Sequence, residues 1–115
     1  MNIPTFKHRD YGVLVKRLKE TLNKLQMRDW EVTLVYGPIP PDELRDKWEN
    51  AGSCAFWTEW LQAVIWINIQ ECQNQNRDPL HVLLHEIAHI WLAYQDDEER
   101  ECNILANILQ TGLKR

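Results

Sequence analysis

The chain has 115 residues, 44% of them hydrophobic and 26% charged, with a net charge of −4; this excludes a disordered polymer and fits one domain over residues 1–115. Its longest apolar runs, residues 63–67 and 90–93, fall far short of the roughly 20 needed to cross a bilayer, and residues 1–10 lack the pattern of a signal peptide. Basic residues group only at Lys16, Arg17 and Lys19, so nucleic acid is not an expected partner; Cys54, Cys72 and Cys102, widely spaced and without a CxxC pair, point to reduced thiols in a cytoplasmic protein.

In chain order, residues 9–25 come first. Tyr11, Leu14, Val15, Leu18, Leu22 and Leu25 recur at the spacing of an amphipathic helix, with Lys16, Arg17, Lys19, Glu20 and Lys24 on the wet face. Residues 30–36 alternate, placing Trp30, Val32, Leu34 and Tyr36 on one side of a half-buried strand, which the proline-rich stretch 37–41 ends. Residues 41–48 suit a short helical piece, with Leu44 and Trp48 one turn apart, stopped at Asn50 to Gly52. Two more strands are expected at 53–60 and 63–69, with Ile65, Ile67 and Ile69 on one face of the second. They are joined by a tight hairpin around Leu61 and Gln62, so the sheet is expected to be antiparallel. Four of the six tryptophans, Trp30, Trp57, Trp60 and Trp66, fall in these strand-like segments, where large rings can fill a thin core.

Residues 70–77 read as a polar loop. Asp78 followed by Pro79 reads as an N-cap and a first helical residue, opening a helix over 79–94 that is apolar on most sides and so largely buried. A last helix spans about 97–110 and stops at Gly112.

The buried helix carries His85, Glu86, Ile87, Ala88 and His89, an HExxH string. Residues four apart project from one helix face a turn apart, so both imidazoles can reach one ion. Zinc accepts such nitrogen ligands in a tetrahedral shell. Glu86, beside the first histidine, is placed to take a proton from a metal-bound water without ligating. Three ionisable groups on so apolar a helix would be costly without a partner, which argues against two plain core histidines. His81 stands one further turn back, with Val82 after it rather than an acid, and reads as structural, substrate-facing or a support to the ligands.

A catalytic zinc takes a third protein ligand and keeps one position open. Leu92 and Gln95 occupy the places where an extended metzincin motif has glycine and a third histidine, and no histidine follows His89. The third ligand is then expected among Asp96, Asp97, Glu98, Glu99 and Glu101. The apolar stripe Cys102, Leu105, Ala106 and Leu109 extends back to Glu98 and Glu99, with Glu101 near the other edge, and periodicity alone leans to Glu98. The same acids also complement a helix N-terminus.

An HExxH helix followed by a glutamate-bearing helix resembles a gluzincin. Residues 99–106, ERECNILA, resemble the ExxA[N/D]xFA segment of the small ImmA/IrrE-type metallopeptidases and related short HExxH proteins of phages and prophages. Cys102 stands where alanine is usual and Leu105 where phenylalanine is. The resemblance implies an α+β zincin-like fold, a Zn2+ cofactor and a peptide or protein substrate. It also implies zinc ligands His85, His89 and Glu99, with Glu86 as general base of a metal-activated water. By the same resemblance, an extended substrate would lie along the strand at residues 64–68. The chain departs from the family in having only nine residues between His89 and Glu99 and 26 after His89. No carbonyl-polarising residue is fixed, Tyr94 and His81 being the candidates. Two other functions fit the same string: a zinc-binding regulatory or interaction protein whose peptidase activity is latent, and an interaction module without metal.

Overall fold

A computed structural model describes residues 11–94 together with Ala106 and Gln110. Helix α1 (Tyr11–Lys24) buries Leu14, Leu18 and Leu22, the stripe its periodicity predicts. Thr21 is buried on the same side, its hydroxyl donating 2.7 Å to the Arg17 carbonyl one turn back, which satisfies it inside the core. Tyr11, at the start of the helix, donates its phenolic hydrogen to the Leu34 carbonyl at 3.1 Å and so ties α1 to the first strand.

Strand β1 (Glu31–Tyr36), β2 (Gly52–Trp57) and β3 (Gln62–Ile67) form one three-stranded sheet in the order β1-β3-β2. The hairpin of β2 and β3 is antiparallel, Gly52 facing Ile67 and Trp57 facing Gln62. β1 and β3, however, are parallel, with Glu31 opposite Gln62 and Tyr36 opposite Ile67. The expected antiparallel sheet is therefore mixed. The physical reason lies in the long connection after β1: it carries the chain across the sheet before β2 begins. β3, returning from β2, then fills the gap beside β1 and runs in the same direction. Being central, β3 is covered on both faces, and from Ala63 to Ile67 only Val64 is not fully buried.

The turn between β2 and β3 spans residues 58–61, not a tight pair at Leu61 and Gln62. Leu61 takes the left-handed conformation at φ 52°, strained for a branched side chain. Its carbonyl is committed elsewhere, accepting from the Glu31 N–H at 2.8 Å and stitching the hairpin to β1. Trp60 sits in this turn, exposed, instead of on a strand face.

The connection from β1 to β2 folds over one face of the sheet. Trp66 is wholly buried beneath it, and its indole N–H donates to the Gly37 carbonyl at 2.9 Å. The helical piece anticipated at 41–48 is a single 3-10 turn, Asp42–Leu44, anchored by buried Leu44.

The stretch expected as polar loop contains a helix, α2 (Ile69–Asn74). Asn68 is its N-cap: the side-chain oxygen accepts from the Glu71 N–H at 3.2 Å. Helix α3 (Pro79–Tyr94) has the predicted bounds, and Asp78 caps it by accepting from the Leu80 N–H at 3.0 Å. It lies against the sheet and α1. One core cluster joins Leu14, Leu18, Leu34, Ile65, Ile67, Leu83, Leu84 and Ile87 with Ala106. Ala106 and Gln110 are helical and Ala106 is buried; the rest of the last helix expected over about 97–110 lies outside the described residues. Among the described residues no helix is long and apolar enough to cross a membrane.

Candidate metal centre and its cleft

α3 is buried along most of its length, with Leu83, Leu84, Ile87 and Ala88 wholly out of water. Its remaining face looks into a cleft of about 490 Å³ whose walls are α3 and β2. His85, Glu86, His89 and Ala93 line the cleft from the helix, and Gly52, Ser53, Cys54 and Phe56 from the strand. The i, i+3, i+4 spacing of an α-helix accounts for the helical contribution.

Both imidazoles are half-buried, and their rings meet edge to face with centroids 4.6 Å apart. The two Nε2 atoms converge to 3.0 Å. Two nitrogens bound at about 2.0–2.1 Å to one tetrahedral zinc stand about 3.3 Å apart, so a shift of a few tenths of an ångström would let the pair share an ion. The glutamate between them in sequence is 7% exposed. Two imidazole nitrogens facing one point from a single helix face are donors that zinc accepts, and in this respect the pair fits the ion.

β2 can approach α3 this closely because of Gly52. A Cβ there would overlap Val82 Cγ1 and would stand 3.5 Å from Glu86 Cγ. The sequence reading took Gly52 only as the stop of a preceding helical piece, and its role at the helix crossing was missed. Asn68 was missed as well. Besides capping α2, it donates from Nδ2 to the Trp48 carbonyl at 3.1 Å and from its backbone N–H to Ala51 at 2.9 Å. It thereby fixes the segment that leads into the cleft wall. A signal for it was present: Asn68 followed three residues later by Glu71 is a helix-start pattern.

The other candidates divide clearly. His81 does not line the cleft; its Nδ1 lies 3.2 Å from Gln110 Oε1, and Gln110 Nε2 donates to Asp78 Oδ2 at 3.2 Å. Since the Gln110 amide nitrogen serves Asp78, its oxygen is the acceptor and His81 Nδ1 carries the hydrogen. His81 and Asp78 thus join the start of α3 to Gln110. Tyr94 is also outside the cleft: half its surface is exposed and its ring packs edge-on against Trp30 at 5.7 Å. Glu99, with its rivals Asp96, Asp97, Glu98 and Glu101, lies outside the described residues. Among the described residues no three His, Cys, Asp or Glu side chains converge as a metal set.

The strand expected to border the substrate, at residues 64–68, is the central β3, hydrogen-bonded on both sides. Its ladder groups are already used, so it cannot receive an added strand. The strand beside the histidines is β2, at the edge of the sheet.

No protein-family model matches the chain, and neither the curated proteins nor the solved structures contain a significant match to it.

Proposed function

We propose that the protein is a zinc-dependent peptidase of gluzincin type, built on a small zincin-like fold. The observation that carries this reading is the convergence of His85 Nε2 and His89 Nε2 to 3.0 Å in a cleft that Glu86 also lines. His85 and His89 would hold the zinc ion, with Glu99 as third ligand on the strength of the family resemblance. Zinc, when bound in such a site, polarises a carbonyl and lowers the pKa of a water toward about 7.

The chain's own residues would supply the remainder. The Glu86 carboxylate takes the proton of the attacking water and passes it to the departing amine nitrogen, serving first as base and then as acid. Burial against β2 holds it at one place and limits competing solvent. The edge of β2 offers backbone N–H and C=O groups on which an extended peptide can lie as a further strand, bringing its carbonyl to the histidine pair.

The test is Glu86→Gln. The variant should bind zinc as the wild type does and lose cleavage of a peptide library. Cleavage that survives the substitution overturns the assignment of Glu86. Zinc held by a wild-type protein that cuts no peptide would favour the regulatory protein with latent activity.

A further inference from the structure

The two ends of the cleft differ in charge. Lys47, Glu49 and Asn50, from the segment ahead of β2, and Gln75 and Arg77, from the segment ahead of α3, line one end. Phe56 and Ala93, near the far ends of the same strand and helix, carry no charge. The polar end is built by specific bonds. Gln75 Nε2 donates to the Glu49 carbonyl at 3.4 Å, joining the two segments, and the Arg77 N–H donates to the Cys72 carbonyl at 2.8 Å. Asn68 holds Trp48 and Ala51 from beneath.

Lys47 is exposed and Arg77 half-buried, and neither side chain is engaged in an ion pair or hydrogen bond among the described residues. Glu49, exposed, is the acid that lines this end, and Glu86 stands next along the cleft, its Cγ 3.5 Å from where a Cβ of Gly52 would be. An arginine fork half-withdrawn from water suits a carboxylate, which it can bind through two parallel hydrogen bonds.

Direction along the cleft follows from the two ends of α3. Gly52, at the start of β2, meets Val82 and Glu86, whereas Tyr94 packs on Trp30, which adjoins Glu31, in register with Gln62 and through it with Trp57 at the end of β2; β2 and α3 therefore run in the same sense. A peptide added to β2 in the commoner, antiparallel manner runs the opposite way. Its N-terminal part then lies at Phe56, and the residues after the cleaved bond lie at Lys47 and Arg77.

We propose that Arg77 and Lys47 form a carboxylate-recognition subsite, which selects substrates bearing an acidic side chain or a free C-terminal carboxylate just after the scissile bond. This rests on the peptidase reading, and deepens it by naming a substrate class. The uncharged end receives the apolar residues that precede the bond.

The experiment uses the zinc-loaded full chain and peptides identical up to the scissile bond. Beyond it they carry aspartate or asparagine, each ending as free acid or amide, so that the side-chain and terminal carboxylates are separated. The carboxylate-bearing members should be cleaved about five- to tenfold more efficiently, through KM, as expected of charge-assisted bonds partly screened by solvent. The preference should collapse in Arg77→Gln and weaken in Lys47→Gln, the latter at an exposed position that cannot disturb folding. Binding of the same peptides to zinc-loaded Glu86→Gln, followed by fluorescence anisotropy, supplies a second reading independent of turnover. Cleavage without carboxylate preference, or a preference that persists in Arg77→Gln/Lys47→Gln, overturns the subsite and leaves the peptidase standing. Carboxylate-selective binding without cleavage by the wild type supports the subsite and overturns the peptidase. Peptides neither cleaved nor bound overturn both.

Discussion

Gly52 touches Val82 so closely that no side chain fits between the edge strand and the helix at this point. The Trp66 carbonyl, 3.3 Å from where a Cβ would stand, closes the other direction. A methyl group at residue 52 must therefore push β2 off α3 or turn Val82 out of its rotamer. Gly52→Ala should lower stability by about 1–3 kcal/mol, the usual cost of overpacking. Val82→Ala should recover part of that loss when combined with it, although alone it destabilises by leaving a cavity. Urea unfolding of the two single variants and the double variant measures the coupling. Simple additivity would mean that this contact does not set the spacing.

Zinc binding is expected to need both imidazoles. His85→Ala and His89→Ala should each lose zinc in elemental analysis of dialysed protein, whereas His81→Ala should retain it, because His81 bonds to Gln110 and not into the cleft. Zinc should also raise the melting temperature of the wild type and leave that of His85→Ala unchanged. Zinc retained by both alanine variants would show that the ion sits elsewhere.

Gln110 bridges Asp78 and His81 through its two amide atoms. Gln110→Ala should cost about 1–2 kcal/mol, the sum of two partly exposed hydrogen bonds. The loss in Gln110→Ala should be smaller in a His81→Ala background, since one of the two bonds is then already gone. Thermal unfolding of the four proteins reads this directly, and equal losses in both backgrounds would remove the bridge from the account.

The two cysteines in the described residues differ in environment. Cys72 is 2% exposed, and burial pushes its thiol up from 9.0 to about 11, while Cys54 stands half-buried in the cleft wall. In a Cys102→Ser background at pH 8, a maleimide should label Cys54 and spare Cys72 in the folded protein. The sign for stability follows from the raised value. Folding holds the Cys72 proton more tightly than the unfolded chain does, so its contribution is complete below about pH 9. It declines as pH rises from 9 through about 11. Cys72→Ala should flatten that part of the stability curve relative to wild type, and parallel curves would contradict the buried thiol's role.

The helices announce themselves in the sequence wherever a periodic stripe and a cap coincide. Leu14, Leu18 and Leu22 mark α1, and Asp78 with Pro79 marks the first turn of α3. The histidine pair is equally legible, because two residues four apart on a helix share a face whatever the remainder of the chain does. Strand direction is not legible in this way. Alternation in residues 30–36 shows which side is buried but is the same for a parallel or an antiparallel neighbour, so the mixed sheet could not be read from it. The central place of β3 did leave a mark: an unbroken apolar run from Ala63 to Ile67 is what a strand covered on both faces needs. The polar composition of α2 concealed a six-residue helix, which is held at its start by Asn68 and on its inner side by Cys72, not by a stripe of its own.

The position of β3 has a consequence for how the sheet comes into being. β1 and β2 are not neighbours, and among the described residues each pairs with β3 alone. As the chain leaves the ribosome, two of the three strands emerge with nothing to pair with, and their ladder groups wait for residues 62–67. The hairpin can zip at once, since its halves are separated by one turn, whereas Glu31 must be held for a partner 31 positions downstream. Nascent protein that stalls before Gln62 has strand-forming sequence but no sheet, and its exposed apolar edges make that interval the one in which a chaperone matters most.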